Sequence, residues 1–223
     1  MMIHAYPESY LSDAQQNLGT MFDFALRVLN YDEDKFFIYF IQSDIARKFE
    51  HANPKYIAGM SGIELCENVL KKIDSPSERL NFTLPENFKT EYGVEFWTGW
   101  ILAYYQWYSA LKFSDLLEYG LTPSEVSSRY ILHEADVSKF VKTADKIILS
   151  NKNNSPTRLQ KIRKQQNMTQ DELSKLSGVS LRMIQLYEQR QNDINKASGE
   201  TINALARALC CNFYDIMEIN LDE

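Results

Sequence analysis

Between Thr169 and Gln191 the chain reads TQDELSKLSGVSLRMIQLYEQRQ, which sets Arg182 and Gln185 three positions apart with Leu181 and Leu186 beside them. A guanidinium offers paired donors that match the acceptors of a guanine edge. A carboxamide matches adenine, and a leucine packs on a thymine methyl; a good bidentate pair discriminates between bases by about 1–3 kcal/mol. Helical spacing gathers Leu181, Arg182, Gln185, Leu186 and Gln189 on one face and turns Ile184 and Tyr187 to the other. On an arbitrary helix such residues are ordinary solvated surface. Here the preceding residues decide: Thr169 and Glu172 have capping-box spacing, Leu173 and Leu176 supply a buried side, Gly178 suits a left-handed reversal, and Ser180 caps the next helix. Two short helices meeting at a tight turn therefore present the reading face.

This stretch resembles the Cro/repressor, or XRE-type, helix-turn-helix family from about Arg158 to Met217. The resemblance implies five helices, the second and third forming the reading unit, and a buried structural ion pair between Arg163 and Glu188. Removing one partner of such a pair costs about 3–5 kcal/mol. It also implies that Gln170 contacts the DNA backbone, and Thr169, Gln170 and Ser180 join Leu181, Arg182, Gln185, Leu186 and Gln189 as candidate DNA-binding residues. The loop QRQNDINKASG lies where the family approaches phosphates, which makes Asn192, Asn195 and Lys196 candidate backbone donors. TINALARALCCNFYDIM, Thr201 to Met217, resembles the two closing helices, with Ile202, Leu205, Leu209 and Ile216 as core. Arg190 and Cys210 depart from the pattern, each standing where the family usually has Gly, and the loop from Arg190 to Gly199 is longer than usual. The implied partner is double-stranded DNA, bound by a homodimer because two half-sites multiply specificity.

The formal charge of −6 is unevenly distributed. Residues 151–223 carry ten Lys/Arg against nine Asp/Glu, whereas residues 1–150 carry fourteen against twenty-one. Pro156 to Lys196 alone holds eight basic and four acidic residues, the local positive charge that phosphate contact needs. Cys66, Cys210 and Cys211 form no even framework, and no leader opens the chain, so a reducing cytoplasm is expected. The one long apolar stretch, Val94 to Leu111, contains Glu95 and Gln106 and reads as a buried helix rather than a membrane span.

Apolar residues recur at three- and four-residue spacing almost throughout, which predicts an all-α protein: a helical bundle-like N-terminal domain over 1–150, a linker at 151–156, and a helix-turn-helix domain over 157–220. Leu11 to Leu29 marks a first helix and Phe37 to Phe49 a second. Asn53-Pro54, Ser61 with Glu64, and Thr122-Pro123-Ser124-Glu125 read as helix starts, while Asp74 to Thr90 reads as loop. No constellation in the N-terminal domain specifies catalysis, a cofactor or a metal: His4, His51 and His133 are isolated, and His133 to Asp136, HEAD, reads as a solvated junction. The aromatic segment is its most informative part, with an expected buried stripe of Trp97, Trp100, Ile101, Tyr104, Tyr108 and Leu111. Trp97, Trp100, Tyr104, Tyr105, Trp107 and Tyr108 together exceed what one stripe buries, so a thick core, a dimer or partner interface, and a small-ligand pocket all stay open. NPKYIAGMSGIEL and DINKASGET also resemble bacterial proteins encoded beside toxin-like partners, which adds an antitoxin-like protein partner for the acidic domain as the second reading.

Overall fold

The computed structural model describes residues 4–73, 89–219 and 221. All regular elements among them are helical. The chain separates into two compact units that divide between Ile148 and Leu149.

In the N-terminal unit, α1 (Leu11–Asp23) runs on into a π-helical turn, Phe24–Val28. Asp32 then caps α2 (Glu33–Gln42) by accepting the Lys35 N–H. The sequence predicts one helix from Phe37 to Phe49, but the chain breaks at Ser43-Asp44. The Ser43 hydroxyl donates to the Phe40 carbonyl at 2.7 Å and receives the Ile45 N–H, and Asp44 takes a left-handed φ of 67° before α3 (Ile45–Glu50) begins. Asn53 caps the short α4 (Pro54–Ile57), and Ser61 and Glu64 close a reciprocal capping box on α5 (Gly62–Lys72). Of the loop expected from Asp74 to Thr90, residues 74–88 lie outside the described part. Beyond it come α6 (Val94–Ser109), α7 (Phe113–Glu118), α8 (Pro123–Ser127), capped by Thr122, and α9 (Val137–Asn154). The expected linker is helical through Asn154: its polar composition marks an exposed helix end.

α1 packs against α5 and α6 at backbone range. A Cβ at Gly99 would sit 2.3 Å from the Leu18 carbonyl oxygen, and one at Gly62 would sit 2.4 Å from that of Asn17. Leu18, Met21 and Phe22 fill the seam, while Phe37, Phe40, Phe49 and Phe113 interlock beside it, Phe40 and Phe113 with centroids 5.2 Å apart at 64°.

The expected stripe of α6 needs correction. Phe96, Trp97, Ile101, Leu102, Tyr105 and Trp107 are all buried, so the helix is covered on more than one side, and Trp100, Tyr104 and Tyr108 form its half-buried edge. A helix apolar around most of its circumference occupies the centre of a bundle, where a one-sided stripe does not apply.

The C-terminal unit contains α10 (Arg158–Gln165), α11 (Gln170–Ser177), α12 (Leu181–Glu188), α13 (Gly199–Ala208) and α14 (Phe213–Ile216), five helices around a core of Leu159, Leu173, Ile184, Tyr187, Leu205 and Leu209. Leu176, expected in that core, is 65% exposed. α11 is only two turns long, and Leu173 alone reaches the centre. Asn167, Gly178, Arg190 and Cys210, immediately after α10 to α13, have positive φ, although only one of them is Gly. Three of these ends close with the bond of a Schellman motif: Met168 N–H to Arg163, Gln191 N–H to Leu186 and Cys211 N–H to Ala206.

Candidate nucleic-acid interface

The scaffold of the reading face rests on one buried ion pair. Arg163 on α10 donates through Nε and Nη2 to the two oxygens of Glu188 at 2.6 and 2.8 Å, and its Nη1 reaches the Met168 carbonyl at 2.6 Å. Both residues are 7% exposed, so each charge requires the other. The hydrogen bonds to Glu188 hold the Arg163 guanidinium above its ordinary pKa, despite the opposing effect of burial. This pair fixes α12 against α10 from beneath.

α11 is anchored by the expected capping box: Thr169 receives the Glu172 N–H at 3.2 Å, and Glu172 accepts the Thr169 N–H at 2.7 Å. The Thr169 N–H and hydroxyl, both donating to Glu172 Oε2 at 2.7 Å, hold the Glu172 carboxyl below its usual range. Gly178 at φ 73° turns the chain, and Ser180 caps α12 by accepting the Met183 N–H. On α12, Ile184 and Tyr187 point into the core, while Leu181, Arg182 and Gln189 are exposed and Gln185 and Leu186 are half-buried. Thr169 and Ser180 are exposed as well.

Two of the expected phosphate contacts are engaged otherwise. Gln170 donates to Glu188 at 2.7 Å, extending the buried pair and committing one of its two amide N–H groups. Asn195 is turned inward: its amide donates to the Glu218 carbonyl at 2.8 Å and its oxygen accepts the Glu218 N–H at 2.9 Å. Each end of the amide meets backbone, so Asn195 clamps the loop, with one amide N–H left uncommitted as in Gln170. Asn192 and Lys196 face solvent.

The clamp extends through residues to which the sequence reading gave no role. The Glu218 carboxylate accepts the Arg158 N–H at 2.8 Å and pairs with Arg190 at 3.3 Å, and Arg190 donates to the Ser155 carbonyl at 2.7 Å. Lys152 donates to the Ile219 carbonyl, and burial lowers its pKa. A basic residue at a position that favours Gly was the available clue: Arg190 holds φ 54° while its side chain ties the long loop down.

The aromatic candidates divide. Tyr105 is wholly buried and donates to Asp145 at 2.6 Å, and burial pushes its phenol pKa up. Trp107 is buried with its indole donating to the Tyr6 carbonyl at 2.8 Å, and Trp97 is 8% exposed. These three belong to the core and correct the interface reading. Trp100, Tyr104 and Tyr108 stack in a half-buried row with centroids 6.4 and 6.3 Å apart. Among the described residues no three His, Cys, Asp or Glu side chains cluster as metal ligands would, and no helix is long and apolar enough to cross a membrane.

Residues 159–216 match a family model described as helix-turn-helix, which supports a DNA-binding transcription regulator of the XRE type. No curated protein and no solved structure gives a significant match to the chain.

Proposed function

We propose that this protein is a sequence-specific repressor that binds its operator as a homodimer in the cytoplasm, α12 of each copy reading one half-site from the major groove. The observation that carries this reading is the exposed row Leu181, Arg182 and Gln189 on a helix whose opposite side is locked by Ile184, Tyr187 and the Arg163–Glu188 pair. A fork of donors on a rigid element is the arrangement that base edges select for. Arg182 engages guanine and Gln185 adenine. Leu181 and Leu186 press on thymine methyls, and Gln189 extends the same face.

Thr169, Ser180 and the second amide N–H of Gln170 stand at the helix N-termini, where backbone dipoles favour phosphate, and Asn192 and Lys196 meet the backbone farther along. Repression requires only that an operator be occupied, which the reading domain suffices to do. Selection of bound sequences from a random DNA pool tests the proposal. The expected product is a two-fold symmetric site with half-site centres one helical turn, roughly 34–36 Å, apart. Recovery of unenriched sequences would overturn it.

A further inference from the structure

The N-terminal unit contains a cavity of about 290 Å³ that lies wholly among its own residues. Trp97, Ile101 and Phe140 form its floor, each nine-tenths or more buried, and the more accessible Trp100, Tyr130 and His133 stand at its mouth. The rings brace one another. Trp97 meets Tyr130 and Phe140 edge to face with centroids 5.7 Å away, at 75° and 86°, and His133 stacks on Tyr130 at 4.2 Å and 5°. His133 Nδ1 donates to the Tyr130 carbonyl at 2.7 Å, which fixes the imidazole plane.

Three properties of this wall define what it would take. None of the described residues lining it is Lys or Arg, so an anion entering the cavity would lose water without gaining a counter-charge, whereas the ring faces tolerate a neutral or cationic guest. Braced ring edges and faces favour a flat aromatic guest that continues the edge-to-face and stacked pattern. The volume falls at the small end of the roughly 300–1,000 Å³ typical of ligand pockets, enough for one or two fused rings.

We infer that this cavity is a binding site for a planar aromatic molecule of one or two rings that carries no negative charge. The inference does not depend on DNA binding, and its failure would leave the operator reading untouched.

Quinoline is a suitable probe, with N-methylquinolinium and 2-naphthoate as cationic and anionic counterparts of the same shape. Two of the chain's three Trp line the cavity, so emission reports occupancy alongside calorimetry. The full chain is expected to bind quinoline saturably at one site with Kd of roughly 1 mM or tighter, and 2-naphthoate at least about tenfold more weakly than either quinoline or N-methylquinolinium. Ala135→Leu, which adds bulk at the half-buried wall, is expected to abolish binding at an unchanged melting temperature. Should that variant fail to fold, Trp100→Phe decides, weakening quinoline severalfold by replacing the indole with a smaller ring face at the mouth. No saturable binding of quinoline, equal binding of the three probes, or full binding by a folded Ala135→Leu would overturn the inference; so would unchanged quinoline affinity in Trp100→Phe.

Discussion

The two units are stabilised by different kinds of contact. The C-terminal unit is organised by polar geometry: one buried ion pair, side-chain caps, and an amide clamp that joins Asn195 to Glu218. The N-terminal unit has capped helices as well, but its interior depends on steric fit, with helices at backbone range through Gly62 and Gly99 and a core crowded with aromatic rings. Polar geometry demands particular residue types at fixed spacings. Steric fit accepts many sequences of the right volume, so it leaves little signature.

The sharpest way to break this contrast is to remove one partner in each unit. Glu188→Ala leaves Arg163 buried without its counter-charge, and should destabilise the C-terminal unit by about 3–5 kcal/mol. In denaturant melts the transition of that unit should move and the other should not. Gly99→Ala places a Cβ against the Leu18 carbonyl, and should cost the N-terminal unit about 2–3 kcal/mol. A common shift of both transitions in either variant would show that the units do not respond separately.

The pH response sharpens the comparison at intermediate magnitude. Burial raises the Glu50 carboxyl from 4.5 to about 7, against the lowering effect of the Phe113 N–H bond, and burial raises Glu33 and Asp145 as well. Since the folded state holds the Glu50 proton more tightly than the unfolded chain, its contribution is complete below about pH 4.5 and is lost as pH rises through about 7. The N-terminal transition should weaken over that window by on the order of 1–2 kcal/mol after solvent screening. Glu50→Gln keeps an acceptor for Phe113 and should flatten the slope, read by thermal melts between pH 5 and 8.

The smallest effect separates two positions that share a backbone conformation. Cys210 and Arg190 both have positive φ, 49° and 54°. Cys210→Gly should stabilise by about 0.5–1 kcal/mol, since Gly relieves the left-handed strain and gives back part of the gain as unfolded-chain entropy. Arg190→Gly relieves the same strain but severs the bonds to Ser155 and Glu218, so it should not stabilise. Equal gains at both positions would refute the clamp.

The contrast also explains what the sequence revealed. The all-α class and the capping boxes at Ser61 and Thr169 were readable because each needs specific side chains at specific intervals, whereas the Arg163–Glu188 pair came from the family resemblance. The left-handed residues at Arg190 and Cys210 were visible only against a family pattern that places Gly there. The inward turn of Asn195 was not legible, because its partner is the backbone of Glu218, twenty-three residues away, and backbone carries no sequence signal. Nor was the exposure of Leu176: periodicity marks it as apolar without showing that α11 is too short to bury it. In α6 nearly every position is apolar, and periodicity cannot rank faces that are all covered.

The claim that α12 reads bases while the following loop holds phosphate is tested most directly by comparing Arg182→Ala and Lys196→Ala on the selected operator and its single-base variants across a salt series. Arg182→Ala is predicted to lose about 1–3 kcal/mol on the operator and to relax preference at one base position. Lys196→Ala is predicted to weaken all sequences alike and to reduce the salt slope by about 1. Equal, sequence-independent losses from both variants would contradict the assignment of α12 as the reading helix.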